Sequence, residues 1–122
     1  MRFMILVKST ATSEAGREPD PACVAAMARF HEQLLRAGVL LDAHGLQPSR
    51  QGWRIRHARG QATLQEGPFD DAPGGLAGYT IIQVRSRDEA LEWSRRCPSP
   101  FGPDWPGEIE VRPLVELDDA AH

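Results

Sequence analysis

Phe3-Met4-Ile5-Leu6-Val7-Lys8 is the stretch on which the fold reading turns. Successive side chains of a strand point to opposite faces, and here Phe3, Ile5 and Val7 on one parity are matched by Met4 and Leu6 on the other. Such a strand is expected to be buried on both faces. Tyr79 to Arg85 repeats the pattern through Ile81, Ile82 and Val84.

Around these two strands the punctuation is regular. Ser9 to Pro19 reads as a polar loop. Asp20 as N-cap and Pro21 at the first helical position open a helix that Gly38 closes. Val24, Met27, Phe30, Leu34 and Leu35 fall in one arc of it, and His31 lies inside that arc. Val39 to Gln47 reads as a strand interrupted near Gly45, followed by a turn at Pro48-Ser49. Trp53–His57 and Ala62–Glu66 read as a hairpin around Arg59-Gly60, with Trp53, Ile55, His57, Ala62, Leu64 and Glu66 facing inward. Ser86 and Glu89 form a capping box for a second helix reaching about Arg96, and Glu108 to Leu117 is the last strand.

The order β-α-β, hairpin, β-α-β predicts an α+β fold, a ferredoxin-like sandwich with an inserted β-hairpin, as one domain over residues 1–117 with a C-terminal tail at 118–122. Two helices cover one face of such a sheet. The two-sided strands therefore ask for a second copy packed sheet against sheet, a homodimer.

The chain has 122 residues and a formal net charge of −3, which argues against a binder of nucleic-acid backbones. Arg50, Arg54, Arg56 and Arg59 cluster locally, and alternating arginines on a short strand read as a solvated face. The apolar run at the start is too short for a signal or membrane segment, and a cytoplasmic protein is the simplest expectation. Cys23 and Cys97 make no metal or redox motif and read as small buried hydrophobes. No phosphate loop, dinucleotide fingerprint, nucleophile elbow or zinc pattern is present, so neither cofactor nor metal is expected. Eleven glycines and ten prolines stand out, concentrated in Gly67–Gly78 and Pro98–Gly107 as two shaped loops.

Several blocks together resemble a known family: Leu35-Arg36-Ala37-Gly38-Val39-Leu40-Leu41, Gly45-Leu46-Gln47-Pro48-Ser49, Glu66-Gly67-Pro68-Phe69, Gly78-Tyr79, Asp88-Glu89-Ala90-Leu91-Glu92-Trp93 and Glu110-Val111-Arg112-Pro113. This set is similar to the DGPF branch of the YCII-related (YciI-like) proteins. The resemblance implies a dimeric α/β barrel. It also implies an enzyme working through a His/Asp pair in a pocket, like small isomerases and dehydrochlorinases of ring compounds, or a regulatory module of the kind that accompanies sigma factors. The chain departs from the pattern: the family's first-helix histidine would fall near Met27, Glu66 stands for the Asp of the signature block, and the Lys and Glu that follow it are Pro73 and Gly74.

The candidate chemistry follows. His44, beside the Gly45 break, is the expected base, Asp71 its orienter, and Arg112 the partner of a developing oxyanion. Asp42, Glu66, Phe69 and Tyr79 are the expected substrate contacts. Each has a plainer alternative. The carboxylates of the Gly67–Gly78 loop can cap backbone N–H groups, His44 can be an ordinary hydrogen-bonded strand residue, and Glu108, Glu110 and Arg112 can be a solvated edge. His31 reads as a satisfied core histidine, and His57 as a cross-strand partner of Glu66. The leading expectation is a cofactor-independent lyase or isomerase moving protons on a small carbonyl or ring compound. The alternative is a noncatalytic dimer that binds a ligand or a protein.

Overall fold

The computed structural model describes residues 1–117, and the expected tail at 118–122 lies outside the described residues. Among the described residues, six strands and three helices follow one another as β1 (Arg2–Lys8), α1 (Ala11–Glu14), α2 (Pro21–Arg36), β2 (Leu40–Gly45), β3 (Trp53–Ala58), β4 (Gln61–Glu66), β5 (Leu76–Gln83), α3 (Arg87–Arg95) and β6 (Ile109–Pro113), with a 3-10 turn at Ser49–Gln51. The fold is α+β. Four strands form an antiparallel sheet in the order β2-β5-β1-β6, and β3 and β4 form a separate two-stranded sheet.

The two-sided strands β1 and β5 are the two central ones, as their apolar parities require. Phe3 opposes Ile82 and Ile5 opposes Thr80, so these residues share one face. That face packs on the helices through Phe30, Leu34 and Ala90, with Met27 and Trp93 at its margin. Burial on α2 recurs at Cys23, Phe30 and Leu34, with Met27 partly buried between them, a spacing that keeps one stripe toward the sheet. The other sheet face, carrying Met4, Leu6, Tyr79 and Ile81, is only half-buried.

Caps place the helices where the sequence puts them. The Asp20 carboxylate accepts from Ala22 N, and the Ser86 hydroxyl accepts from Glu89 N. The Glu89 carboxylate reaches Arg85 N, one residue further back than a capping box requires.

Several details differ from what the sequence predicts. The polar Ser9–Pro19 stretch contains the one-turn helix α1, closed by reciprocal Thr10 and Ser13 bonds. Strand β5 begins at Leu76 rather than Tyr79, because the Gly78 backbone pairs closely with β2. Strand β2 ends at Gly45 and β6 at Pro113, short of Gln47 and Leu117. On α2, Val24 and Leu35 lie outside the packed stripe and are exposed. The hairpin residues do share one face, but Trp53 is 64% exposed and Ile55 and Leu64 are also bare, so that face has no cover among the described residues. Its register opposes Trp53 to Glu66 and His57 to Ala62, which separates His57 from Glu66.

Leu34 is fully buried whereas Leu35 is exposed. Leu34→Ala is expected to cost about 2–5 kcal/mol in chemical unfolding, and Leu35→Ala no more than about 0.5 kcal/mol.

Candidate functional site

Small side chains facing one another leave space on the helix side of the sheet. Ala28 of α2, Ala43 and Gly45 of β2, and Gly78 of β5 border an open cavity of about 830 Å³, which Ala77 also lines from the alternate parity of β5. Its walls are mainly apolar, completed by Val24, Met27, Leu46 and Val7. The Pro98–Gly107 loop supplies Phe101 and Trp105 from the outside, and Cys23 Sγ donates to the Pro100 carbonyl 3.0 Å away, tying the loop to α2.

His31 and Thr80 are the polar pair of this cavity. His31 comes from α2 and is half-buried; Thr80 is buried on β5. Their Nε2 and Oγ1 atoms are 3.0 Å apart. Burial holds the His31 imidazole below the usual histidine value, so the ring is neutral at physiological pH. A neutral imidazole fixed by a hydroxyl can accept a proton from a bound molecule. The charged residues of the lining, Arg17, Glu18, Asp20 and Asp104, are all exposed.

A second cluster joins Asp42, His44 and Tyr79. His44 directly opposes Tyr79 across β2 and β5. Asp42 Oδ1 lies 2.9 Å from His44 Nε2, and Asp42 Oδ2 accepts from the Tyr79 hydroxyl at 2.9 Å. That bond to a carboxylate pushes the Tyr79 hydroxyl pKa up. The strand parity sets these side chains on the half-covered face, and His44 and Tyr79 also border the cavity where it reaches the sheet edge.

The other candidates have different partners. Asp71 binds Arg54 Nη1 at 2.8 Å, and this bond holds its carboxyl below the usual range. Arg112 binds Glu110 at 2.7 Å on β6, at the sheet edge opposite β2, roughly 14 Å across the strands from His44. Glu66 is exposed opposite Trp53. His44, Asp71 and Arg112 therefore do not converge, whereas Asp42, His44 and Tyr79 do.

The Glu66–Phe69 block is a clasp. A Cβ on Gly67 would overlap the Ser49 carbonyl, so only glycine permits this approach. Phe69 N donates to the Ser49 hydroxyl at 3.1 Å, and that serine donates both its N–H and its hydroxyl to the Glu14 carboxylate. The Phe69 ring lies 3.9 Å beneath the Arg54 guanidinium. Gly67 N donates to Gly52 O at the root of the hairpin. The block thus fastens α1, the 3-10 turn and the hairpin together.

A YCII-related domain model matches residues 1–118. The chain belongs to the YCII-related family. This YCII-related chain is 31% identical over 104 residues to an uncharacterised protein of Rhizobium meliloti (strain 1021), a match covering 85% of this chain and 82% of that one.

In this YCII-related chain the cavity occupies a place that motif reading passed over. Thr80 carried a signal: it is the one polar residue on the parity of β5 otherwise made of Leu76, Gly78 and Ile82. The second Gly/Pro loop carried only its composition. Among the described residues, no group of three or more His, Cys, Asp or Glu could hold a metal, and no helix is long and apolar enough to cross a membrane.

Gly67→Ala tests the clasp. It is expected to lower stability by roughly 1–3 kcal/mol or more in denaturant unfolding, since the obstructing atoms are backbone.

Proposed function

We propose that this YCII-related protein is a small cofactor-independent enzyme of lyase or isomerase type, moving protons on a carbonyl or ring compound held in the cavity beneath α2. The observation that carries the reading is the His31–Thr80 pair in a mainly apolar cavity of about 830 Å³, within the size of a small-molecule site. The neutral ring takes a proton from a carbon next to the carbonyl, breaking the C–H bond and leaving the electron pair on the enolate. The same ring returns the proton at another position, which is an isomerisation, or the enolate expels a leaving group, which is an elimination. Thr80 holds the ring.

The Asp42–His44–Tyr79 cluster supplies a second acid–base unit, with Asp42 as the carboxylate that orients His44. Phe69 and Asp71 serve the site indirectly by holding the loop, and Arg112 with Glu110 belongs to the open sheet face. That face, half-apolar through Met4, Leu6 and Ile81, supports pairing with a second copy. The strand order β2-β5-β1-β6 with α2 and α3 packed on one face supports the ferredoxin-like sandwich and the dimeric barrel that such pairing makes. Membership of the DGPF branch rests on the Glu66–Phe69 block.

One observation favours the noncatalytic ligand-binding reading. The partner of His31 is a hydroxyl and not a carboxylate, so the imidazolium formed during proton transfer has no counter-charge at hand.

Exchange of carbon-bound protons in D₂O separates the two. Candidate ketones incubated with the protein should lose ¹H signal next to the carbonyl, and His31→Gln should slow this by roughly 10²–10⁴-fold. The depressed pKa sets the sign with pH: the base stays neutral, and exchange stays fast, down to a midpoint below 6.5. Exchange unaffected by His31→Gln would exclude His31 as the base, and none with any ketone would favour the binding module.

Native mass tests the pairing. The protein is expected to be a dimer, and Leu6→Lys with Ile81→Lys is expected to give a folded monomer. A monomeric wild-type protein would overturn the sheet-to-sheet reading.

A further inference from the structure

The charge distribution of the cavity narrows its ligand, given the site assigned under the proposed function. At its buried end the polar groups are the Thr80 hydroxyl, which is 5% exposed, and the half-buried His31 imidazole, whereas Thr12, Ser13, His44 and Tyr79 line it further out, the last two already bonded to Asp42. No Lys or Arg lines it from the sheet or from α2, and neither does an acidic residue. Arg17, Glu18 and Asp20 sit on the exposed segment before α2, and Asp104 on the outer loop. Asp20 is committed to Ala22 N. A carboxylate driven to the Thr80 end would meet a hydroxyl and a neutral ring and would keep its charge uncompensated; an ammonium would fare no better. Burying a charge without a partner is far costlier than burying a hydroxyl that finds one. The hydroxyl and the imidazole can between them donate to and accept from a neutral group.

The space itself points the same way. Ala28, Ala43, Ala77 and Gly78 hold the walls back, and Phe101 and Trp105 of the outer loop add apolar surface, so an apolar body has much surface to cover. The volume of about 830 Å³ exceeds what a two- or three-carbon metabolite would fill.

We propose that the ligand of this cavity carries an uncharged hydroxyl or carbonyl at its buried end, on an extended or bulky apolar body, and that carboxylates and amines of the same shape are refused there. Charge on the ligand is accommodated only at its outer end, beside the rim residues.

Three probes of equal length decide it: 1-octanol, octanoate and octylamine, each titrated at pH 8 into the ¹⁵N-histidine-labelled protein. The His31 ring signals are assigned from their loss in His31→Gln. Octanol is expected to shift the His31 signals, with the two ions weaker by roughly tenfold or more. Thr80→Val should weaken octanol and Thr80→Ser should restore it. Ala43→Leu, which fills the cavity from the sheet side, should abolish the shift. Octanoate or octylamine binding at His31 as tightly as octanol would overturn the proposal, and so would no His31 shift with any probe. Should a variant fail to fold, the wild-type ranking of the three probes decides alone. The outcome is separable from the enzyme reading: octanol binding without proton exchange on any ketone keeps this proposal and removes catalysis, whereas His31-dependent exchange with a preference for acids removes this proposal only.

Discussion

Two helices can lie on only one side of a four-stranded sheet, and most of this molecule follows from that limit. The covered side takes Phe3, Ile5 and Ile82 against Phe30 and Leu34, and there the chain reaches full burial. Towards the β1 C-terminal end the same side changes character, because large residues give way to Val7, Ala43, Gly78 and Thr80. There the first turns of α2 pack instead against the Pro98–Gly107 loop, through Cys23 and the Pro100 carbonyl. A well-packed core and an open cavity thus occupy two ends of a single interface. The uncovered side keeps Met4, Leu6 and Ile81 beside a hydrogen-bonded polar cluster, a composition suited to another surface rather than to water.

Much of this was legible in the residues. Period-two runs apolar on both parities place β1 and β5 at the centre of the sheet, and Asp20-Pro21 and Ser86 open α2 and α3 where the structure has them. The hairpin was legible in register but not in environment. Alternation identifies a face as apolar, and the cover for Trp53, Ile55 and Leu64 must come from elsewhere.

The site was legible only in fragments. Asp42, His44 and Tyr79 meet because β2 and β5 pair in one particular register, a long-range fact that spacing along the chain does not encode. Asp71 drew attention as a carboxylate in a signature loop, yet its electrostatics are governed by Arg54, seventeen residues away on the hairpin. His31 was visible as a histidine among apolar neighbours. Its difference from an ordinary core histidine is the empty volume beside it, which depends on small residues from three separate elements. Cavities are made by what side chains lack, and motifs do not record it.

The clasp at Glu66–Phe69 also sets how the molecule comes apart. Strands β3 and β4 pair with each other and with no strand of the main sheet, so the hairpin is joined to the body through Gly52, Ser49, Arg54 and the loop they grip. A two-stranded ribbon has little stability of its own. Its amides are therefore the ones to exchange with solvent through a local opening that leaves β1, β5 and α2 intact, well below the free energy of global unfolding. The most recognisable words of the sequence act as a pin, fixing a separate two-stranded arm to the body of the protein.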